Sequence, residues 1–412
     1  MYENKTETEK AVLCAVDTGE YDIDSSLSEL EELAKTAGAE VIGVLTQKRD
    51  KPDNVTYFGS GRLMELKEFC ENNETDLVIV DDELSPVQQR SIENTVNVRV
   101  IDRTTLILDI FALRAISNEG KLQVELAQMK YNLPRLQGQG NKLSRQGGGI
   151  GTRGPGETKL ESDKRHIRRR IKSLEDELEE LEKRRSLQRK RREKDGAETV
   201  AIVGYTNAGK STLMNTLTNA GVLEQDKLFA TLDPTSRALT LPDGRSVILI
   251  DTVGFIRRLP HNLVEAFKST LEEAATAKAI INLCDFSDPE YPEHLEVTEQ
   301  ILRDLGCGDK PIIRVFNKCD KADLSSDCGD KSAIRISAKT GEGLSEMLTA
   351  VSYALPPSRG TFTLLIPYSD PKCAALFRED GAIQSEEFTP EGVLLKGTAS
   401  IRLIEKYKDY LR

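Results

Sequence analysis

The sequence predicts an α/β protein made of a small parallel α/β domain, a long antiparallel helical hairpin, a larger α/β domain and a small C-terminal α/β domain. Three patterns support this prediction. Short apolar runs alternate with helical patterns over residues 1–100, two long helical patterns flank a glycine-rich stretch, and an apolar strand leads through a glycine loop into a helix at 198–217. These patterns place the four segments at residues 1–102, 103–195, 196–357 and 358–412.

The composition is typical of a folded protein with a highly charged surface. Of the 412 residues, 30% are charged and 38% hydrophobic, and 57 Lys and Arg against 68 Asp and Glu give a net charge of −11. Net acidity argues against a general nucleic-acid coating protein, although it leaves room for a local basic patch. The N-terminus lacks the apolar segment of a secretory signal and no run is long enough to span a membrane, so we expect a cytoplasmic protein. Seven scattered cysteines without a C-x-x-C pair favour reduced thiols over a disulfide framework or a zinc site.

The first hundred residues contain four strand candidates, three of them separated by helical patterns. One of these patterns aligns Leu27, Leu30 and Leu33 on a single face. Strands that alternate with helices predict βαβ units and a small parallel sheet. The strand candidates are residues 11–16, 41–46, 77–80 and 98–101.

Two long helical patterns follow and predict an antiparallel hairpin. The first runs from about residue 103 to Leu133 and ends before Pro134, since proline disrupts a helix interior. A helix of about 33 residues would extend roughly 50 Å. The second pattern runs to about residue 195, and its apolar residues are spaced 4, 3, 4 and 3 apart, as in the seam of a coiled coil. These seam residues are Ile167, Ile171, Leu174, Leu178 and Leu181.

The connection between the two helices, residues 134–158, is rich in glycine and carries basic side chains that include Arg145 and Arg153. Presented on a helical stalk, such a loop could contact the phosphates of folded RNA through backbone amides and Arg side chains. The alternative is a plain linker between domains. The seam likewise leaves an alternative open, because it could pair with a helix of another protein.

The string ETVAIVGYTNAGKSTLMNTL at 198–217 indicates a phosphate-binding site. Its glycine loop has the pattern G-x-x-x-x-G-K-S, whose backbone N–H groups surround a phosphate chain at a helix N-terminus. We expect Lys210 to reach the β- and γ-phosphates and the Ser211 hydroxyl to ligate Mg²⁺. The predicted nucleotide contacts of this loop are Gly204, Tyr205, Thr206, Asn207, Ala208, Gly209, Lys210, Ser211 and Thr212.

Four further motifs follow in the order that a P-loop GTPase domain requires. The segment 228–237 offers Thr231 or Thr235 as a switch threonine. The D-x-x-G motif puts Asp251 near the metal and Gly254 near the γ-phosphate, N-K-x-D lets Asp320 recognise guanine, and the S-A-K backbone meets guanine O6. Together they predict a guanine-nucleotide site. Its further contacts are Phe229, Ala230, Thr231, Leu232, Asp233, Asp251, Thr252, Val253, Gly254, Asn317, Lys318, Cys319, Asp320, Ser337, Ala338 and Lys339.

Two positions bear on the rate of hydrolysis. Phe255 follows Gly254, where fast GTPases commonly have a Gln that orients the attacking water, so slow basal turnover is expected. Alternatively, Phe255 packs against the sheet while another side chain orients the water. Asn207 resembles the asparagine with which potassium-activated GTPases hold K⁺, or it is an ordinary loop residue. The catalytic candidates are Lys210, Thr231 and Gly254, with Asn207 as a further one.

Several long strings resemble the HflX GTPases of the Obg–HflX group. Besides FATLDPT and DTVGF, the resemblance covers residues 57–340 and includes an N-terminal α/β domain, while the tail at 361–412 matches loosely. The strings that carry it outside the GTPase domain are YFGSGRLMEL (57–66), DDELSPVQQRSIE (81–93), DRTTLILDIFALRA (102–115), EGKLQVELAQMKYNLPRL (119–136) and GGGIGTRGPGETKLESDKR (147–165).

The resemblance implies a Mg²⁺-dependent GTPase that converts GTP to GDP, binds the large ribosomal subunit and splits or rescues stalled or idle ribosomes under stress. It implies that Thr231 binds Mg²⁺ together with Ser211 and, through water, Asp251. The glycine-rich loop would approach the peptidyl-transferase centre, with Arg145 and Arg153 on rRNA. We expect a monomer whose low basal rate is stimulated by the ribosome. ATP binding has been associated with the N-terminal part of some members, but residues 1–100 show no glycine-rich phosphate loop. The alternative function is a nucleotide-controlled regulatory scaffold that binds a protein partner through the hairpin.

Overall fold

The computed structural model describes the chain in seven stretches. They are residues 8–135, 159–194, 198–218, 228–229, 232–260, 273–322 and 333–412. The loop arginines Arg145 and Arg153 lie outside the described residues, as do Ala230 and the predicted switch threonine, Thr231.

The N-terminal part is a four-stranded sheet in which every pairing is parallel, as the alternating patterns predicted. The strand order is β2-β1-β3-β4, and the central β1 is buried on both faces. The order reverses between β1 and β3, so a crevice opens at the carboxyl ends of these two strands. The elements are β1 (Lys10–Asp17), α1 (Ile23–Ala37), β2 (Glu40–Lys48), α2 (Ser60–Asn73), β3 (Leu77–Val80), α3 (Pro86–Val96) and β4 (Arg99–Asp102).

The helical region differs from the prediction in one respect. Instead of one helix over 103–133, the chain forms α4 (Arg103–Arg114) and α5 (Asn118–Arg135), with a break at 115–117. The break arises because the N–H groups of Ile116 and Ser117 are bound by the carboxylate of Asp233, far along the chain. The predicted stop before Pro134 is also wrong by two residues. Pro134 lies in the last turn of α5, where its missing N–H removes one helical hydrogen bond and only one residue of the helix follows.

The third long helix, α6 (Lys159–Lys194), has 36 residues and packs antiparallel to the 18-residue α5, so the two arms are unequal. The predicted seam closes within the chain, because Leu174 is buried against Leu122 and Leu126. Ion pairs between Arg185 and Glu119 and between Lys130 and Glu175 flank this contact.

The larger α/β domain has a six-stranded sheet of order β10-β9-β8-β5-β7-β6, in which β6 is antiparallel to β7 and the other pairs are parallel. The strands β5, β7 and β9 end at Gly204, Asp251 and Asn317, so three predicted motifs meet at one edge of the sheet. The elements are β5 (Glu198–Gly204), α7 (Lys210–Thr218), β6 (Thr235–Thr240), β7 (Ser246–Asp251), β8 (Ala279–Asp285), α8 (Tyr291–Asp304), β9 (Ile312–Asn317), β10 (Ile334–Arg335) and α9 (Leu344–Ala354).

The C-terminal part is a three-stranded antiparallel sheet of order β11-β13-β12 with two helices. Its elements are β11 (Arg359–Ile366), α10 (Pro371–Asp380), β12 (Ala382–Thr389), β13 (Gly392–Ser400) and α11 (Ile401–Lys406). After α11 the chain makes a short turn, and Leu411 forms a bridge to Leu364 that covers the open edge of β11.

The mixed α/β class is confirmed by these sheets and helices, whereas the four domain boundaries stay predictions. Among the described helices, none is both long and apolar enough to cross a membrane.

Candidate nucleotide site and its contacts with the N-terminal domain

The glycine loop is held to the two guanine motifs by one side chain. Asn317 donates from Nδ2 to the Ala208 carbonyl at 2.9 Å and accepts at Oδ1 from the Ala338 N–H at 2.9 Å. Gly209 makes this approach possible, because it has φ +94° and a Cβ there would overlap with Asn317 Nδ2. The phosphate loop, N-K-x-D and S-A-K therefore form one assembly.

Lys210 begins α7 and is buried beneath the loop. Its ammonium donates to the carbonyls of Gly204 at 3.0 Å and Tyr205 at 2.7 Å. Burial lowers the pKa of Lys210 to about 8, because the charged form is poorly solvated there. An ammonium at a helix N-terminus suits the binding of a polyphosphate.

The first turn of α7 meets the end of β7 through a hydrogen bond between two oxygen-bearing side chains. The Ser211 hydroxyl donates to Oδ2 of the fully buried Asp251 at 3.0 Å. A hydroxyl and a carboxylate are hard oxygen donors, so the residues present fit Mg²⁺. Thr235, the other switch candidate, begins β6 opposite Asp251, and its buried Oγ1 has no hydrogen-bond partner among the described residues.

The N-K-x-D and S-A-K motifs are also joined to each other by hydrogen bonds. The Ser337 hydroxyl donates to Oδ1 of Asp320 at 2.7 Å and lowers the pKa of that carboxyl group. Lys318 forms an ion pair with Asp285 at 2.7 Å, and the buried Cys319 donates its N–H to the Ile336 carbonyl. The exposed Asp320 carboxylate therefore stays ionised and available as an acceptor.

The D-x-x-G segment lies directly against the phosphate loop. A Cβ at Gly254 would lie 2.9 Å from Thr206 Cα and 3.0 Å from Lys210 Nζ, which is closer than packing allows. Thr252 donates from Oγ1 to the Ile202 carbonyl at 2.7 Å and is fully buried. Because the two segments are in such close contact, a displacement of one would also displace the other.

Phe255 is buried in the core rather than exposed at the loop. It packs beside Ala201, Val203 and Leu302, and its backbone bonds to Gly204 and Thr206. Phe255 therefore packs against the sheet, and its ring offers no group that could orient a water molecule by hydrogen bonding. Asn207 behaves differently, because it is exposed, has φ +61° and has no side-chain hydrogen bond among the described residues.

A contact that the sequence did not indicate joins the phosphate loop to α1. The Tyr205 hydroxyl bonds to the Glu29 carboxylate and accepts the Arg257 N–H at 2.8 Å. The ring stacks on His294 at 3.8 Å between centroids. Burial raises the pKa of Tyr205 and lowers that of His294, so both groups are neutral in the interface.

An arginine from the segment after D-x-x-G reaches into the N-terminal crevice between β1 and β3. Arg258 donates to Asp81 at 2.5 Å, to Asp82 at 3.3 Å and to the Ser26 hydroxyl at 2.5 Å. Arg103 holds the other oxygen of Asp81 at 2.8 Å. Small ligands of open α/β sheets usually bind in such a crevice. Here the Asp81 and Asp82 carboxylates and the Arg258 guanidinium occupy this position.

The segment after the phosphate loop packs in the same interface. Phe229 donates its N–H to Thr206 Oγ1 at 2.9 Å, and its ring lies edge-on to Phe111 at 4.7 Å. The side chains of Leu232 and Val253 join the same buried cluster. The sequence predicts all three residues as nucleotide contacts, and their side chains lie in the buried cluster that also contains residues of α4 and α5. The local signal that could have found them is their apolar character within a polar switch segment.

Comparison with known proteins agrees with this geometry. Three family models match the chain: "GTP-binding GTPase N-terminal" at residues 24–112, "GTP-binding GTPase Middle Region" at 114–192 and "50S ribosome-binding GTPase" at 199–318. The protein is similar to GTPase HflX of Caldanaerobacter subterraneus subsp. tengcongensis, at 51% identity over 411 residues that cover 100% of this chain and 96% of the relative. Its identity to GTPase HflX of Escherichia coli K12 is 40%, covering 95% and 93% of the two chains.

A GTP-binding protein from the hyperthermophilic archaeon Sulfolobus solfataricus, solved in complex with GDP, aligns over 84% of this chain and 98% of its own, with 27% identity and a TM-score of 0.45. The family assignment rests on the sequence relatives. The resemblance inferred from the motifs is therefore confirmed. The chain belongs to the HflX family of GTPases.

Proposed function

We propose that this GTPase binds the large ribosomal subunit in its GTP form and uses hydrolysis to GDP to split or rescue stalled or idle ribosomes under stress. The observation that carries the proposal is the packing of the nucleotide-sensing segments against the N-terminal domain and the base of the helical stalk. The family description of residues 199–318 as a 50S ribosome-binding GTPase supports the partner. From that partner we infer a cytoplasmic location.

Each motif has a separate task in this proposal. Lys210 binds the β- and γ-phosphates, and Asp320 selects guanine by accepting from its N1–H and amino group. Ser211 and Asp251, together with Thr231, hold Mg²⁺, which when bound neutralises charge on the phosphates. The exposed Asn207 is available to assist a K⁺ ion at the same phosphates, and equal hydrolysis rates in potassium and sodium buffers would contradict this role.

Hydrolysis by the isolated protein should be slow. Phe255 is buried and cannot hydrogen-bond a water molecule, so the group that orients the attacking water comes from elsewhere. We infer that the ribosome supplies or positions it. The measurement is GTP hydrolysis with large subunits, small subunits or protein-free rRNA. Stimulation by large subunits alone supports the proposal, and equal rates in all three contradict it.

The glycine-rich loop is the proposed RNA contact of the stalk. Replacing both Arg145 and Arg153 with Ala should weaken large-subunit binding and reduce its salt dependence, because two phosphate contacts are lost. The matched control replaces Lys183 and Arg184, which are exposed on α6, with Ala and so removes the same amount of positive charge. If both double variants bind equally well, the loop is not the contact.

The scaffold alternative required an open seam on the hairpin. Leu174 is fully buried against α5 within the same chain, so the seam is already paired and a monomer is the simpler proposal. Dimerisation that depends on protein concentration and is abolished by Leu178→Asp would restore the alternative.

A further inference from the structure

We propose that Ser117 and Gly120 are positioning residues for the switch segment, because they hold Asp233 as an external cap of the stalk helix α5. The proposal rests on the proposed function only where ribosome binding is concerned. Its core is a coupling between the nucleotide state and the first turn of α5 within this chain.

The contact has the pattern of a capping box in which one member comes from a distant segment. Ser117 precedes α5 as its N-cap, and its hydroxyl accepts the N–H of Gly120 at 2.9 Å. In an ordinary capping box, a Glu or Gln at the third helical position bonds back to the N–H of the cap residue. Here the third position is Gly120, and the Asp233 carboxylate accepts the Ser117 N–H at 2.8 Å instead.

Asp233 makes this connection at several points. Its Oδ2 also accepts the Ile116 N–H at 2.9 Å, and Oδ1 accepts the Ser117 hydroxyl. These bonds satisfy N–H groups that the break between α4 and α5 would otherwise leave without a helical partner. The first turn of α5 is therefore completed by the switch segment.

Gly120 leaves the space that the carboxylate needs. A Cβ at this position would overlap with Asp233 Oδ1 and lie 3.2 Å from the Ser117 hydroxyl oxygen. Gly120 has ordinary helical geometry, since it is not among the residues with positive φ. The space that the Asp233 carboxylate takes up, and not the backbone conformation, therefore explains why residue 120 is a glycine. Without the carboxylate, an alanine at this position would favour the helix.

The same segment is tied to the phosphate loop at its other end. Phe229 bonds to Thr206, and Asp233 bonds to α5, so Thr231 falls in sequence between two anchors. Contacts of Thr231 with Mg²⁺ and the γ-phosphate would order this segment in the GTP state. When hydrolysis removes these contacts of Thr231, Asp233 is released from α5. This helix is about 27 Å long and leads toward the glycine-rich loop.

Gly120→Ala tests this coupling without touching a nucleotide ligand. The matched control is Gly61→Ala, in the first turn of α2, where an added Cβ meets nothing within 4 Å. We would measure hydrogen exchange at the Ile116 and Ser117 amides with GDP and with a non-hydrolysable GTP analogue. In the unmodified protein and in Gly61→Ala, the analogue should protect these amides more strongly than GDP. Gly120→Ala should lose this difference.

The affinities supply a second readout. The ratio of GTP-analogue to GDP affinity should fall by at least about fivefold in Gly120→Ala, since the energy that couples the two segments is removed. Ser117→Ala should act likewise, and Ser117→Thr, which keeps the hydroxyl, should restore the ratio. If Gly120→Ala keeps both the protection difference and the ratio, or if the unmodified protein shows no protection difference, the inference is overturned.

Large-subunit binding separates this inference from the proposed function. If the unmodified protein binds subunits equally in both nucleotide states, the proposed function fails while the exchange measurement still decides the coupling. If its binding depends on GTP and Gly120→Ala retains that dependence, the coupling is wrong and the proposed function survives. If Gly120→Ala loses the GTP dependence of subunit binding while Gly61→Ala keeps it, the result supports both the coupling and the proposed function.

Discussion

Arg258 and Asp81 form an ion pair at 2.5 Å across the contact between the N-terminal and GTPase domains. Asp81 is fully buried, and Arg258 lies four residues after the glycine of D-x-x-G. The segment after D-x-x-G, which we propose responds to the γ-phosphate, is therefore bound by a carboxylate that follows β3. Any movement of this segment must either carry the N-terminal domain with it or break a buried ion pair.

Removing this arginine should destabilise the protein. In Arg258→Ala, Asp81 keeps Arg103 but loses a charged partner, and we expect the free energy of unfolding to fall by about 2 kcal/mol. Urea denaturation followed by circular dichroism measures this change. Arg237→Ala, on the exposed part of β6, is the control and should stay within about 0.5 kcal/mol. A variant as stable as the unmodified protein would show that the pair contributes nothing.

Nucleotide affinity should depend on the protonation of Lys210. Its pKa is lowered to about 8 by burial, and phosphate binding favours the charged form and so raises the pKa. The nucleotide affinity is therefore highest below pH 8. Above pH 8 it falls, and the decrease approaches tenfold per pH unit. GDP binding measured between pH 7 and 9.5 tests this. Lys210→Arg, which stays charged, should bind less tightly but lose this component of the pH dependence.

The close approach of the phosphate loop to N-K-x-D should not tolerate a side chain at Gly209. In Gly209→Ala the Cβ would overlap with Asn317, separating the two motifs. We expect GDP affinity to fall by about a hundredfold, equivalent to about 2.7 kcal/mol. Gly244→Ala is a matched control, because Gly244 also has positive φ but an added Cβ meets nothing. Similar losses in both variants would assign the effect to backbone strain alone.

The paired seam of the stalk should contribute to stability. Leu174→Ala removes a fully buried side chain between α5 and α6 and should cost about 2–4 kcal/mol. Leu187 lies on the same helix with 60% of its surface exposed, so Leu187→Ala should change stability little. Thermal unfolding of the two variants measures the difference. Equal melting temperatures would mean that the hairpin is held by its ion pairs.

The contiguous motif made the local structure of the phosphate loop predictable. The run from Gly204 to Ser211 specifies a strand, a tight loop and a helix start through local backbone preferences, so its structure follows from adjacent residues. The parallel N-terminal sheet was equally accessible, because fully buried strands such as 77–80 read as continuous apolar runs. The single helix predicted over 103–133 was wrong because of a distant residue. The break between α4 and α5 is bound by the carboxylate of Asp233, which lies 116 residues after Ser117.

By itself, the sequence determined the chemistry of this protein: a GTPase with guanine-specific motifs on a parallel sheet, preceded by an α/β domain and a long helical stalk. Only the tertiary structure decided how these parts are joined. The pairing of Arg258 with Asp81 spans 177 residues and that of Asp233 with Ser117 spans 116. Such contacts follow from the packing of whole helices and strands against one another. They produce no spacing or periodicity in the sequence from which they could be predicted.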